Sequence, residues 1–129
     1  MKTMYEAIGG PERIRAVLQS LYDRIFDDPI IGFLFQGRDK AHLVEQQLAF
    51  TCKFLGGPEK YTGRPLPEVH AVLPLLAGHF DRRHRLLEQV LEEQGVPLEV
   101  RRVWLGIDTN LRSSVLSAGE EARAKTRLP

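Results

Sequence analysis

Leu66-Pro67-Glu68-Val69-His70-Ala71-Val72-Leu73 has the pattern of an apolar helix face with an imidazole set into it. Leu66, Val69, His70 and Leu73 fall at i, i+3, i+4 and i+7, the spacing of one side of a helix. A buried polar group without a partner costs about 1–3 kcal/mol. His70 therefore needs either a core hydrogen bond, the common outcome for a lone histidine, or a metal. Two other apolar faces each carry one polar residue out of place, Tyr22 and Gln47. Taken singly, a core tyrosine sends its hydroxyl to a backbone carbonyl, and a glutamine at the edge of a helix stripe is solvated. Taken together, one ligand-type side chain and two hydrogen-bonding side chains predict a buried cofactor approached from two sides.

The helices that carry these residues can be read outward from there. Gly9-Gly10-Pro11 opens a first long helix, with proline in the first turn, where its missing N–H does no harm. Ile14, Val17, Leu18, Leu21, Ile25 and Phe26 form its stripe; Tyr22 lies one turn after Leu18 and faces inward. Asp27-Asp28-Pro29 ends it, and a compact apolar segment runs from Pro29 to Phe35, closed by Gly37. Asp39 caps a second helix to about Leu55, whose inner face reads Leu43, Gln47, Phe50, Thr51 and Phe54. Gly56-Gly57 stops that helix, and residues 56–65 form a Gly/Pro-rich loop. A third helix begins near Gly78 and ends at about Gln94, with Phe80, Leu87, Val90 and Leu91 inward. After Gly95, Pro97 starts a last helix with Val100, Val103, Trp104, Ile107 and Leu111 inward. Gly119 ends it before a frayed charged tail, residues 120–129. No segment alternates with period two, so the class is all-α.

Composition narrows the function classes. At 129 residues the chain is one domain, 1–129, with flexible ends at 1–3 and about 120–129. Eighteen basic against 17 acidic residues, with no basic tract, give no electrostatic reason to expect nucleic acid. No apolar run approaches the roughly 20 residues of a membrane span, and Met1-Lys2-Thr3-Met4-Tyr5 lacks the apolar core of a signal peptide. The single cysteine, Cys52, rules out an intrachain disulfide or a cysteine metal cluster and reads as a small buried apolar residue. A cytoplasmic location is expected.

Four main helices and a short His-bearing segment around a polar-lined gap suit a haem pocket, in which one proximal histidine holds iron and the groups opposite tune the bound gas. The chain resembles the truncated haemoglobins, the short two-over-two globins, and group I most. The resemblance covers about Tyr5 to Leu116. It rests on Tyr5-Glu6-Ala7-Ile8-Gly9-Gly10, on Leu21-Tyr22-Asp23-Arg24 with Asp28-Pro29, and on Phe33-Leu34-Phe35. It rests also on Leu55-Gly56-Gly57-Pro58-Glu59-Lys60-Tyr61-Thr62-Gly63 and on Val69-His70 followed by His79-Phe80. Each motif alone is weak; their order and spacing are specific.

The resemblance implies a truncated two-over-two sandwich enclosing haem b, with His70 as the proximal iron ligand. It implies that Phe35 packs on the haem face and that Tyr22 and Gln47 form the distal hydrogen-bonding pair. Leu43 then stands at the distal position, where it cannot ligate iron, and Tyr61 lies near a haem propionate. Bound O2 carries partial negative charge, and a tyrosine hydroxyl and a glutamine amide both donate to it. Phe80 and Arg83 are expected at the cofactor.

The chain also departs from the family pattern. Arg83 and His84 occupy the stripe between Phe80 and Leu87 where relatives keep apolar residues. Either one of them lies near the pocket or snorkels to a propionate, or the helix rotates and both are solvated. Gln46 replaces a cation that relatives offer to a propionate, and Thr51 replaces a bulky aromatic on a ligand route. His42 and His79 read as an exposed residue and a helix-start residue.

The function implied is reversible binding, and potentially transport, of O2, NO, CO or related small ligands, with conversion of NO to nitrate as an enzymatic extension requiring a separate reductase. A gas or redox sensor without turnover is the second reading. A haem-free helical interaction module is the third, and the joint presence of His70, Tyr22, Gln47 and Phe35 argues against it.

Overall fold

The computed structural model describes residues 2–58 and 76–127, with side chains described to Arg112. Its helices are α1 (Met4–Ile8), α2 (Pro11–Asp27), α3 (Lys40–Phe54), α4 (Ala77–Glu93) and α5 (Leu98–Arg127), with one 3-10 turn at Gly32–Phe35. Two pairs of helices make the core: α2 packs on α3, and α4 packs on α5. The pairs are joined by contact of α2 with α4, and α1 closes one end against α5 and α2. This two-over-two arrangement leaves space between the pairs, and the site lies there.

Helix α2 forms as its pattern dictates. Gly10 (φ 83°) turns the chain into Pro11, and Ile14, Val17, Leu18, Leu21 and Ile25 are all buried. Short α1 was not legible as a separate helix; Thr3 caps it, its Oγ1 accepting from Glu6 N–H at 3.1 Å. Asp39 caps α3 by accepting from His42 N–H at 3.2 Å. His79 accepts from Leu76 N–H through Nδ1 at 3.1 Å, which fixes the start of α4. Gly95 (φ 67°) ends α4 in a conformation that favours glycine.

Two expectations are corrected. Helix α5 does not end at Gly119 but continues to Arg127. Residues 120–124 (Glu, Glu, Ala, Arg, Ala) are strong helix formers, and one glycine costs only about 1 kcal/mol against them. Val103 is exposed rather than inward, whereas Leu86, absent from the expected stripe of α4, is buried.

Asp28 anchors the corner between α2 and the 3-10 turn. Its buried carboxylate accepts from the N–H groups of Ile30 and Ile31, both at 3.0 Å, and from Arg82 of α4 at 2.7 and 3.1 Å. The chain passes so close at Gly32 that a Cβ there would lie 2.7 Å from the Phe26 carbonyl oxygen. Arg82, helped by the two N–H groups, holds the Asp28 carboxyl below its ordinary range against the effect of burial. A lowered carboxyl contributes stability above the unfolded value of about 4 that is lost as pH falls through the folded value. Asp28→Ala should therefore cost about 1–3 kcal/mol at pH 7, with the gap to wild type narrowing in acid. Urea unfolding at pH 7 and in acid measures both; equal stabilities at pH 7 would contradict the assignment.

Candidate functional site

The interior pocket between the helix pairs is lined by Leu18 and Leu21 of α2; Gln47, Phe50, Thr51 and Phe54 of α3, with the adjoining Leu55; Phe80 and Arg83 of α4; and Trp104, Ile107, Asp108 and Leu111 of α5. It contains about 610 Å³ of space, counting its mouth. Most of the wall is apolar and aromatic, and the polar groups on it are few: Gln47, Thr51, Arg83 and Asp108.

Helix α3 presents two apolar faces. Val44, Leu48, Cys52 and Leu55 are buried in the core. Gln47, Phe50 and Phe54 line the pocket, with Gln47 and Phe50 half-buried and Phe54 exposed, while Thr51 is buried and faces both. The expected inner face is thus the pocket face, and the core-packing face is a second stripe one position further on. Burial of Cys52 agrees with its reading as a small apolar residue.

Tyr22 is 3% exposed, with its ring edge-on to Phe35 at 6.4 Å between centroids; Phe35 also meets Phe26 at 5.7 Å. Burial pushes the Tyr22 hydroxyl up from its ordinary pKa, opposed by the charge and hydrogen bonding of Arg83. At neutral pH Tyr22 is therefore a proton donor. Arg83 Nη1 donates to Asp108 Oδ1 at 2.8 Å, and the two side chains are only 12% and 11% exposed. Burial works against the Arg83 charge, but Asp108 and Tyr22 outweigh it and hold the guanidinium protonated. Burial likewise opposes the Asp108 carboxylate, and Arg83 and His84 together bring its pKa below the ordinary value. The other carboxylate oxygen, Oδ2, meets His84 Nδ1 at 2.7 Å. That hydrogen bond raises the imidazole pKa, aided by Glu88 at 3.8 Å from Nε2.

The structure therefore brings Gln47, Phe80 and Arg83 onto one pocket wall, while Tyr22 does not line it and meets it through Arg83. Of the two outcomes open for Arg83 and His84, helix rotation into solvent does not occur: Arg83 faces the pocket and is tied to Asp108 and Tyr22. Phe35 stands behind Tyr22 in the core and is not among the residues lining this pocket. Leu43 is half-buried one turn before Gln47 and also lies off the lining. His42 is exposed, as expected. His70 and Tyr61 lie outside the described residues. Asp108 escaped the sequence reading, although it follows Trp104 by four residues on the stripe that begins at Val100. A carboxylate at that spacing on an inward face signals a buried cation nearby.

Two helix pairs around a largely apolar pocket, with a glutamine on its wall and a buried tyrosine in contact with the wall's Arg83, define a globin-type ligand-binding fold. The family model of bacterial-like globins matches residues 3–117. The group 1 truncated hemoglobin GlbN of Nostoc sp. (strain MUN 8820) is 33% identical over 117 residues, covering 91% of this chain and 99% of the relative. The group 1 truncated hemoglobin of Tetrahymena pyriformis is 33% identical over 95 residues, covering 74% and 78%. The crystal structure of the Tetrahymena pyriformis truncated hemoglobin in its Fe(III) form superposes with a TM-score of 0.81 at 30% identity, over 89% of this chain and 98% of that one. The 2/2 hemoglobin of Synechococcus sp. PCC 7002 shares the fold with a TM-score of 0.84, covering 90% and 99% at 24% identity. The chain belongs to the bacterial-like, truncated globins, and it is a haem-binding member of the two-over-two fold.

The residues present fit that cofactor. Phe50, Phe54, Phe80 and Trp104 supply an apolar aromatic wall of the kind a flat macrocycle needs, and Gln47 with Tyr22 supplies neutral donors. Among the described residues no helix is long and apolar enough to cross a membrane.

Proposed function

We propose that this globin holds haem b through His70 and binds O2 and other diatomic ligands reversibly on the side faced by Tyr22 and Gln47. The observation that carries the reading is the placement of Gln47 on the pocket wall, with the buried, protonated Tyr22 in contact with Arg83 of the same wall. His70 would hold the haem, and the haem iron would supply the binding of small ligands.

The protein's own groups do the rest. Tyr22 and Gln47 donate hydrogen bonds to charge that develops on the ligand, and in a dry pocket such bonds are stronger than in water. Leu43 stands where no nitrogen is available to close the distal side. Phe50, Phe54, Phe80 and Trp104 exclude water. Tyr61 would stand near a haem propionate and Phe35 would pack on the haem face, its ring also bracing Tyr22. Thr51, a small side chain on the pocket wall, keeps a passage for diatomic ligands.

Conversion of NO to nitrate follows from the same arrangement. NO and O2 would combine and take up one electron from the reduced protein to leave as nitrate, and a separate reductase would return that electron. Mixing the oxygenated protein with NO tests this: nitrate should form stoichiometrically, and turnover should begin only when a reductant system is added. Release of free O2 with no nitrate would leave ligand binding or sensing as the function. The sensor reading lacks a comparable observation in its favour.

A further inference from the structure

Arg83, with its partner Asp108, puts charge on the pocket wall that binding of neutral diatomic ligands does not require. A guanidinium is costly to bury, and a buried pair with a carboxylate is no more stabilising than apolar packing. Here the charge is nevertheless maintained, 12% exposed, on the wall of the pocket that Gln47 also lines and in contact with Tyr22. Its counter-ion is shared: Asp108 gives Oδ1 to Arg83 and Oδ2 to His84. One carboxylate between two cationic-type side chains does not fully cancel the field that Arg83 sends into the pocket. A guanidinium has five N–H donors in a planar fork, so its bond to Asp108 Oδ1 at 2.8 Å leaves it able to serve a ligand as well.

We propose that Arg83, held by Asp108, is a specificity-determining residue that shifts the preference of this pocket from neutral diatomics toward small monovalent anions of the azide, nitrite or hydrosulfide class. The proposal rests on the haem-pocket reading above. Asp108 sets the strength of the field by partial neutralisation, and Tyr22 and Gln47 complete the donor set around the anion. His84 shares Asp108 and is itself flanked by Glu88 at 3.8 Å, which moderates its charge on the outer side.

The test uses the haem-loaded protein with two probes, azide on the ferric form and CO on the ferrous form, followed by the Soret band. Arg83→Met should weaken azide binding by roughly ten- to a hundredfold while CO affinity changes by less than about threefold. Arg83→Lys, which keeps the charge but not the fork, should retain part of the azide affinity. Asp108→Asn should act in the opposite sense and tighten azide by about threefold or more, because it removes the neutralising charge and keeps the acceptor. The C–O stretching frequency should rise in Arg83→Met and fall in Asp108→Asn, since a positive field favours back-donation into CO. Parallel changes in azide and CO affinity, or an azide affinity indifferent to Arg83, would overturn the proposal. If Arg83→Met takes up no haem, Asp108→Asn decides: tighter azide supports the proposal, and unchanged or weaker azide overturns it. A wild-type protein whose Soret band responds to neither probe would instead refute the haem-pocket reading itself.

Discussion

Tyr22→Phe should speed O2 dissociation by roughly ten- to a hundredfold. A hydrogen bond to a charged acceptor contributes about 1.5–3 kcal/mol, and each 1.36 kcal/mol is tenfold in rate when the bond breaks before the transition state. Burial keeps the Tyr22 hydroxyl protonated, so it donates rather than accepts toward the ligand. Phenylalanine preserves the edge-on contact with Phe35 and removes only the hydroxyl. CO dissociation should change far less, because CO carries little charge. The effect of removing both Tyr22 and Gln47 should differ from the sum of the single effects, since the two share one acceptor. Rapid-mixing replacement of O2 by CO measures the rate. An unchanged O2 dissociation rate would remove Tyr22 from the proposed donor pair and leave Arg83, which lies within its reach, as the principal donor.

His70→Ala should abolish stable haem uptake. His70 is the histidine whose helical spacing sets it among Leu66, Val69 and Leu73 and whose distance from His79-Phe80 matches the family. His42 is exposed on the first turn of α3, and His79 spends Nδ1 on the backbone at the start of α4. His84 is bound to Asp108. His42→Ala and His79→Ala should therefore take up haem as wild type does. Titration of haem into each apoprotein gives the answer from the Soret absorbance. Normal uptake by His70→Ala would transfer the proximal role to another residue.

The helix pairs were legible because their apolar residues recur at helical period: Ile14, Val17, Leu18, Leu21 and Ile25 mark α2, and each is buried. Tyr22 was legible for the same reason, as a polar residue in register with that stripe. Helix α3 was harder to read because apolar residues occupy two adjacent faces. Periodicity does not say which face meets protein and which meets a pocket; the burial of Val44, Leu48 and Cys52 in the core separates them. The end of α5 was misplaced because a glycine was weighed without the helix formers that follow it. Arg83 stands out in the sequence as a cation on an apolar stripe, but its direction depends on a partner 25 residues away, Asp108, whose place on the inward stripe of α5 does not itself name that partner. Asp28 is a similar case: its position at a helix end was plain, whereas its bonds to two backbone N–H groups and Arg82 are set by the corner it occupies.

The absorption spectrum of the reduced protein, before and after CO, bears most directly on the assignment of a haem held from one side by His70. The expected result is a broad, high-spin, five-coordinate Soret band that sharpens and shifts on adding CO, because Leu43 and Gln46 offer no nitrogen ligand on the distal side. Absence of a Soret band, or a low-spin six-coordinate spectrum in the reduced protein before any ligand is added, would contradict it.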